Sequence, residues 1–178
     1  TPPGDLRVKI EQALLHLGIS QEDIDMLLRH RAYPLSYQAA FTSALQAMDK
    51  VDGHEKIMPL ALSVQTVDQA RFVVNTLRML QRYHETVQKL KEIDVLGTVF
   101  ATNTKDTIVI TAPIDYVSWS EMLDRFSGRD RFTSQPHELH IAGTMSAMAS
   151  EQLSKRGWII HQNSDLFSSI STQKKANK

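Results

Sequence analysis

The apolar residues of this chain change rhythm once, near Asp94, and no other feature of the sequence narrows its fold as much. Before that point they recur at spacings of three and four, the mark of helices with one buried stripe. After it they come in short runs rich in β-branched residues, which read as strands. With 178 residues, 42% of them hydrophobic, the chain suits one domain, or one core with a helical extension.

In the helical half, Leu6, Ile10, Ala13, Leu14 and Leu17 share a stripe, with Gly18 placed as a C-terminal cap. Ser20 with Asp23 approximates a capping box and opens a second helix that must fail before Pro34. Ser36 is expected to cap a third helix, whose core face is Phe41, Ala44, Leu45 and Met48 and which ends at Asp52-Gly53. The segment His54 to Ser63 reads as either a short strand or a short helix; Pro59 disfavours a central strand, so helix is preferred. Thr66 with Gln69 is a clean capping box for a long helix reaching to about Ile93, its stripe running Ala70, Val73, Leu77, Leu80, His84 and Val87.

Beyond Asp94, the runs Val95 to Ala101 and Thr107 to Ala112 predict a hairpin across the polar loop Thr102 to Asp106. Pro113 ends the second run. Ser118 with Glu121 predicts a capping box for a short helix that faces the core with Trp119, Met122, Leu123 and Phe126 and closes at Gly128. A polar loop then leads to a strand Glu138 to Ala142, a helix Thr144 to Arg156 and a strand Trp158 to Gln162. Such a strand-helix-strand unit is expected to be parallel and right-handed, and the step from Thr107 to Ala142 should obey the same rule. The expected fold class is α+β, in mixed α/β form: an N-terminal helical half packed beside a small four-stranded mixed sheet with crossover helices. The expected divisions are 1–93 helical, 94–163 sheet and 164–178 a disordered tail in which Leu166, Phe167 and Ile170 offer a docking helix, with 1–163 compatible with one globule.

Composition excludes several chemistries. Without cysteine there is no disulfide, thiolate metal site or cysteine nucleophile. Twenty Lys and Arg against twenty Asp and Glu leave no net charge, and the balance holds on both sides of Ile93, which argues against nucleic-acid binding. No apolar run approaches a membrane span. The chain opens Thr1-Pro2-Pro3-Gly4, as expected of a processed or excised domain, and its location is not legible from that start.

Open α/β sheets usually bind ligands at the C-terminal ends of parallel strands. Two loops should meet there, and a ligand site would draw on Asp115, Tyr116, Trp119, Gly143 and Thr144, with His161 at its edge. The structural alternative is that Gly143 permits a tight turn while Asp115, Ser118 and Thr144 cap turns or helices. Arg125, Arg129 and Arg131, interleaved with Phe126 and Phe132, form a local basic feature able to hold an anion or an acidic partner, although Asp124 and Asp130 lie among them. His137 and His140 in a strand point to opposite faces and cannot chelate together, so no metal and no cofactor are expected. His84, on an apolar stripe, reads as a core histidine with one hydrogen-bond partner.

No glycine-rich phosphate loop or nucleophile elbow is present. The expected function is therefore a non-catalytic protein-interaction or assembly module, contacting a protein partner or a second copy of itself. The alternative is an enzyme or small-ligand-binding domain using the strand-end crevice.

Overall fold

The computed structural model of the chain describes residues 2–167. The helical half contains α1 (Pro3–His16), α2 (Gln21–Leu28), α3 (Leu35–Ala47), a 3-10 turn at His54–Ile57, α4 (Met58–Ser63) and α5 (Val67–Thr86). Ser20 accepts from the amide of Asp23 at 3.2 Å and Thr66 from that of Gln69 at 3.1 Å, as the capping patterns require. The third helix begins differently: Pro34, not Ser36, occupies its N-cap. The segment His54 to Ser63 is helical, with Pro59 in the first turn of α4, where a missing N–H is no loss.

The sheet has five strands rather than four, in the order β1 (Leu90–Val95), β2 (Val99–Asn103), β3 (Ile108–Ala112), β5 (His137–Ile141), β7 (Trp158–His161). Strands β1, β2 and β3 are antiparallel neighbours, whereas β3, β5 and β7 are parallel. The additional strand is β1, which the sequence reading had merged into the long helix and the first run. A bulge explains the error. Leu90 pairs with Asn103 and Glu92 with Thr102, so Lys91 is extra, and the two buried residues Leu90 and Ile93 stand three apart, as they would on a helix. The run Val95 to Ala101 accordingly contains the β1–β2 turn and not one strand.

Helix α5 stops at Thr86 because the chain must reverse into β1, and His84 Nδ1 accepts the amide of Leu90 at 2.9 Å across that reversal. Val87, expected on the buried stripe, is exposed in consequence. The outer edge of β1 is stoppered by Asp52, whose amide donates to Lys91 and whose carbonyl accepts from Ile93.

Alternation on the strands divides the core in two. Val99, Ala101 and Val109 face α5 and join the core of the helical half, which runs without a break across position 94. Phe100, Ile108, Ile110, Leu139, Ile141 and Trp158 face the other way, onto α6 (Glu121–Ser127), α7 (Asp130–Thr133) and α8 (Ala147–Lys155). Phe132 sits at the centre of this second core, edge-on to Phe100 at 5.1 Å and to Trp158 at 5.9 Å. The cap of α6 is Ser120, not Ser118, because Tyr116–Val117 are held extended as β4, leaving Ser120 to accept the amide of Leu123. After β7 the chain turns back, and Leu166 is buried beside Met79 of α5. Ile170 lies outside the described residues, as does most of the expected tail.

Candidate functional site

The two loops at the strand ends do meet, and they meet backbone to backbone. Tyr116–Val117 (β4) and Thr144–Met145 (β6) pair as a two-stranded parallel ladder beyond the ends of β3 and β5. The amides of Gly143, Thr144 and Ser146 donate to the carbonyls of Ile114, Asp115 and Val117, each at 2.9 Å. The amide of Met145 donates to the side chain of Gln162, and Ser146 Oγ caps α8 by accepting from Ala149. The amides of the loop itself, from Gly143 to Ser146, and that of Ala149 in the first turn of α8 are thus already engaged. A Cβ built on Gly143 would stand 1.8 Å from the carbonyl oxygen of Asp115, so only glycine allows this approach.

Of the six residues expected around a strand-end ligand, Asp115, Tyr116, Gly143 and Thr144 are brought together by this clasp, with Asp115, Tyr116 and Thr144 outward and exposed. Trp119 instead packs against the second core beneath the Arg156 guanidinium, 4.9 Å from its ring centre, and Arg156 is also paired with Asp124. His161 closes β7 at its C-terminal end, but its side chain lies on the sheet face that looks towards α5. Each of the three arginines has its own surroundings. Arg129 lies over Phe126, Arg131 lies over Phe100 with Nη1 donating to Gln135, and Arg125 is exposed on the last turn of α6.

A second constellation gathers around His161. Glu138 and His140 are two apart on β5 and therefore share a face, and His161 pairs directly with His140 across the β5–β7 ladder. His140 Nε2 lies 3.0 Å from Glu138 Oε1, and the two imidazoles stack with centres 4.3 Å and planes 5° apart. Tyr83 comes down from α5, edge-on to His140 at 5.4 Å, with its hydroxyl accepting from Asn103 Nδ2 at 3.1 Å and reaching the Glu138 carboxylate. Asn103 is fixed in turn, since its Oδ1 accepts the amides of Lys105 and Thr107 in the β2–β3 loop. The expectation that His137 and His140 take opposite faces holds. His137 does point away, its ring nitrogens 2.7 and 2.8 Å from the carbonyls of Gln135 and Arg156. Glu138, His140, Tyr83 and Asn103 were missed: aligning the two predicted strands sets His140 opposite Ile160, and the observed register, shifted by one residue, sets it opposite His161.

Electrostatics bind this group together. Burial by itself would raise the Glu138 carboxyl, but hydrogen bonds from His140 and Tyr83 and the two adjacent imidazoles outweigh it and hold it below the ordinary carboxylate value. Burial pushes the Tyr83 hydroxyl up to about 12, so it stays protonated. The His161 imidazole is held low by partial burial and by the neighbouring His140, with Glu138 acting in the opposite sense. Exposure rises from His140, at 6%, through Glu138 to His161, which is exposed, so the group opens outward at the edge strand.

No helix among the described residues is long and apolar enough to cross a membrane. No protein-family model, curated protein or solved structure matches the chain.

Proposed function

We propose that this chain is a non-catalytic assembly module that binds a second copy of itself through the outer surface of the strand-end clasp. The observation that carries this reading is the β4–β6 ladder. It engages the amides of the loop from Gly143 to Ser146 in main-chain and Gln162 contacts, and it turns the side chains of Tyr116 and Thr144 outward. Tyr116 on β4, Met122 at the start of α6 and Met148 at the start of α8 are 59%, 74% and 59% exposed, on elements that the clasp ties together. Methionine and tyrosine favour contact surfaces, because a flexible thioether adapts to a facing side chain and an aromatic ring contributes area at little entropic cost. Two copies with no net charge meet without long-range repulsion.

Light scattering coupled to size exclusion tests the reading on the intact chain. Wild type is expected to run as a dimer, and the double substitution Met122→Asp with Met148→Asp as a folded monomer with an unchanged circular dichroism spectrum. A wild-type monomer at every concentration tried, or a dimer indifferent to the two aspartates, would overturn it.

A further inference from the structure

The geometry points to a divalent transition-metal site formed by Glu138, His140 and His161 on the α5-facing side of the sheet. One ligand atom from each of the three residues lies within 4.8 Å of the others. Ligands bound at about 2.0–2.1 Å around a tetrahedral ion sit about 3.3 Å from each other. The Glu138–His140 contact, at 3.0 Å, already falls at that spacing. The adjustment left is a swing of His161, whose ring is exposed at the open edge and has no hydrogen-bond partner among the described residues.

The donor set specifies the class of ion. Two imidazoles and one carboxylate suit zinc and its first-row neighbours, while magnesium and calcium demand more oxygen ligands than the site offers. Binding through Nε2 would replace the His140–Glu138 hydrogen bond, since a metal-bound imidazole nitrogen carries no proton.

The surroundings are those of a prepared ligand set. Asn103 holds the Tyr83 hydroxyl, which stands beside the Glu138 carboxylate in the manner of the outer partners that orient metal-binding groups. The parallel register fixes His161 beside His140. A purely structural network would leave the third member unnecessary, since His140 and Glu138 satisfy one another without it. Three protein donors with one open side also leave a position for water or a further ligand, the arrangement of an accessible and not a closed structural site.

Titration of the full chain with zinc, followed by calorimetry, and with cobalt, followed by its visible absorption, tests the proposal. Wild type is expected to bind one equivalent of each, with a tetrahedral cobalt spectrum, and excess magnesium should not displace it. His161→Ala, at an exposed edge position with little risk to folding, should weaken binding by more than about tenfold. Glu138→Gln should do likewise, and His16→Ala, on the exposed end of α1, should change nothing. Absence of saturable binding, binding unaltered by both His161→Ala and Glu138→Gln, or displacement by magnesium would overturn the site.

Discussion

Strand β5 carries two histidines three residues apart, and the sheet assigns them opposite surroundings. His137 is enclosed by the second core, edge-on to Trp158 at 4.6 Å, with both ring nitrogens against backbone carbonyls. His140 faces α5 and meets only side chains: a carboxylate, a tyrosine and another imidazole. The contrast teaches that an imidazole held by main-chain partners is part of the fold, whereas one whose partners are all side chains, next to the edge strand, can exchange them without disturbing the backbone. His84 belongs with His137, since its one partner is the amide of Leu90.

The contrast breaks first, and most strongly, at His137. Replacing it by alanine removes the imidazole from between the Gln135 and Arg156 carbonyls and opens a gap beside Trp158, so stability should fall by about 3 kcal/mol in urea unfolding while the folded fraction still binds zinc. Equal losses from His137→Ala and His161→Ala would erase the distinction. Tyr83→Phe removes the hydroxyl between Asn103 and Glu138 and should cost about 1 kcal/mol, measured by the same midpoints.

A smaller effect concerns pH and His84. Burial, followed by the charge of Lys89, holds its imidazole below the ordinary value of 6.5, with Glu85 and Asp49 opposing weakly. Its neutral form is the one that accepts from Leu90. The unfolded chain therefore takes up the proton first, and the stability His84 contributes is complete above about 6.5 and declines as pH falls through its lower folded value. Urea midpoints compared between wild type and His84→Gln should converge on acidification; a gap that widens below neutrality would reverse the assignment. Smallest of all, His161→Ala should change stability by no more than about 0.5 kcal/mol, because its side chain is exposed and, apart from the stack on His140, makes no hydrogen bond within the described residues.

These outcomes bear on how much could be read beforehand. The caps at Ser20 and Thr66, the helical first half and the parallel β3–β5–β7 arrangement were legible because each depends on local chemistry or on spacing within one segment. Strand β1 was not, since the bulge at Lys91 turned a two-residue period into a three-residue one. Ser120 in place of Ser118 was hidden by a pairing between β4 and β6, segments 28 residues apart in register. The side-chain cluster was half legible: His161 was singled out, but its partners depend on which residues two strands bring opposite each other. That is a property of the assembled sheet. No motif spells it out.

The β4–β6 ladder has a mechanical corollary. In many α/β proteins the loops at the strand tips are the moving parts, closing over a guest and reopening to release it. Here those tips are laced together by main-chain hydrogen bonds, so a second copy docking there, as proposed, would meet a surface already in its final shape. Recognition at that end should proceed by rigid encounter, with little conformational entropy lost on the protein's side and rates set by collision and orientation.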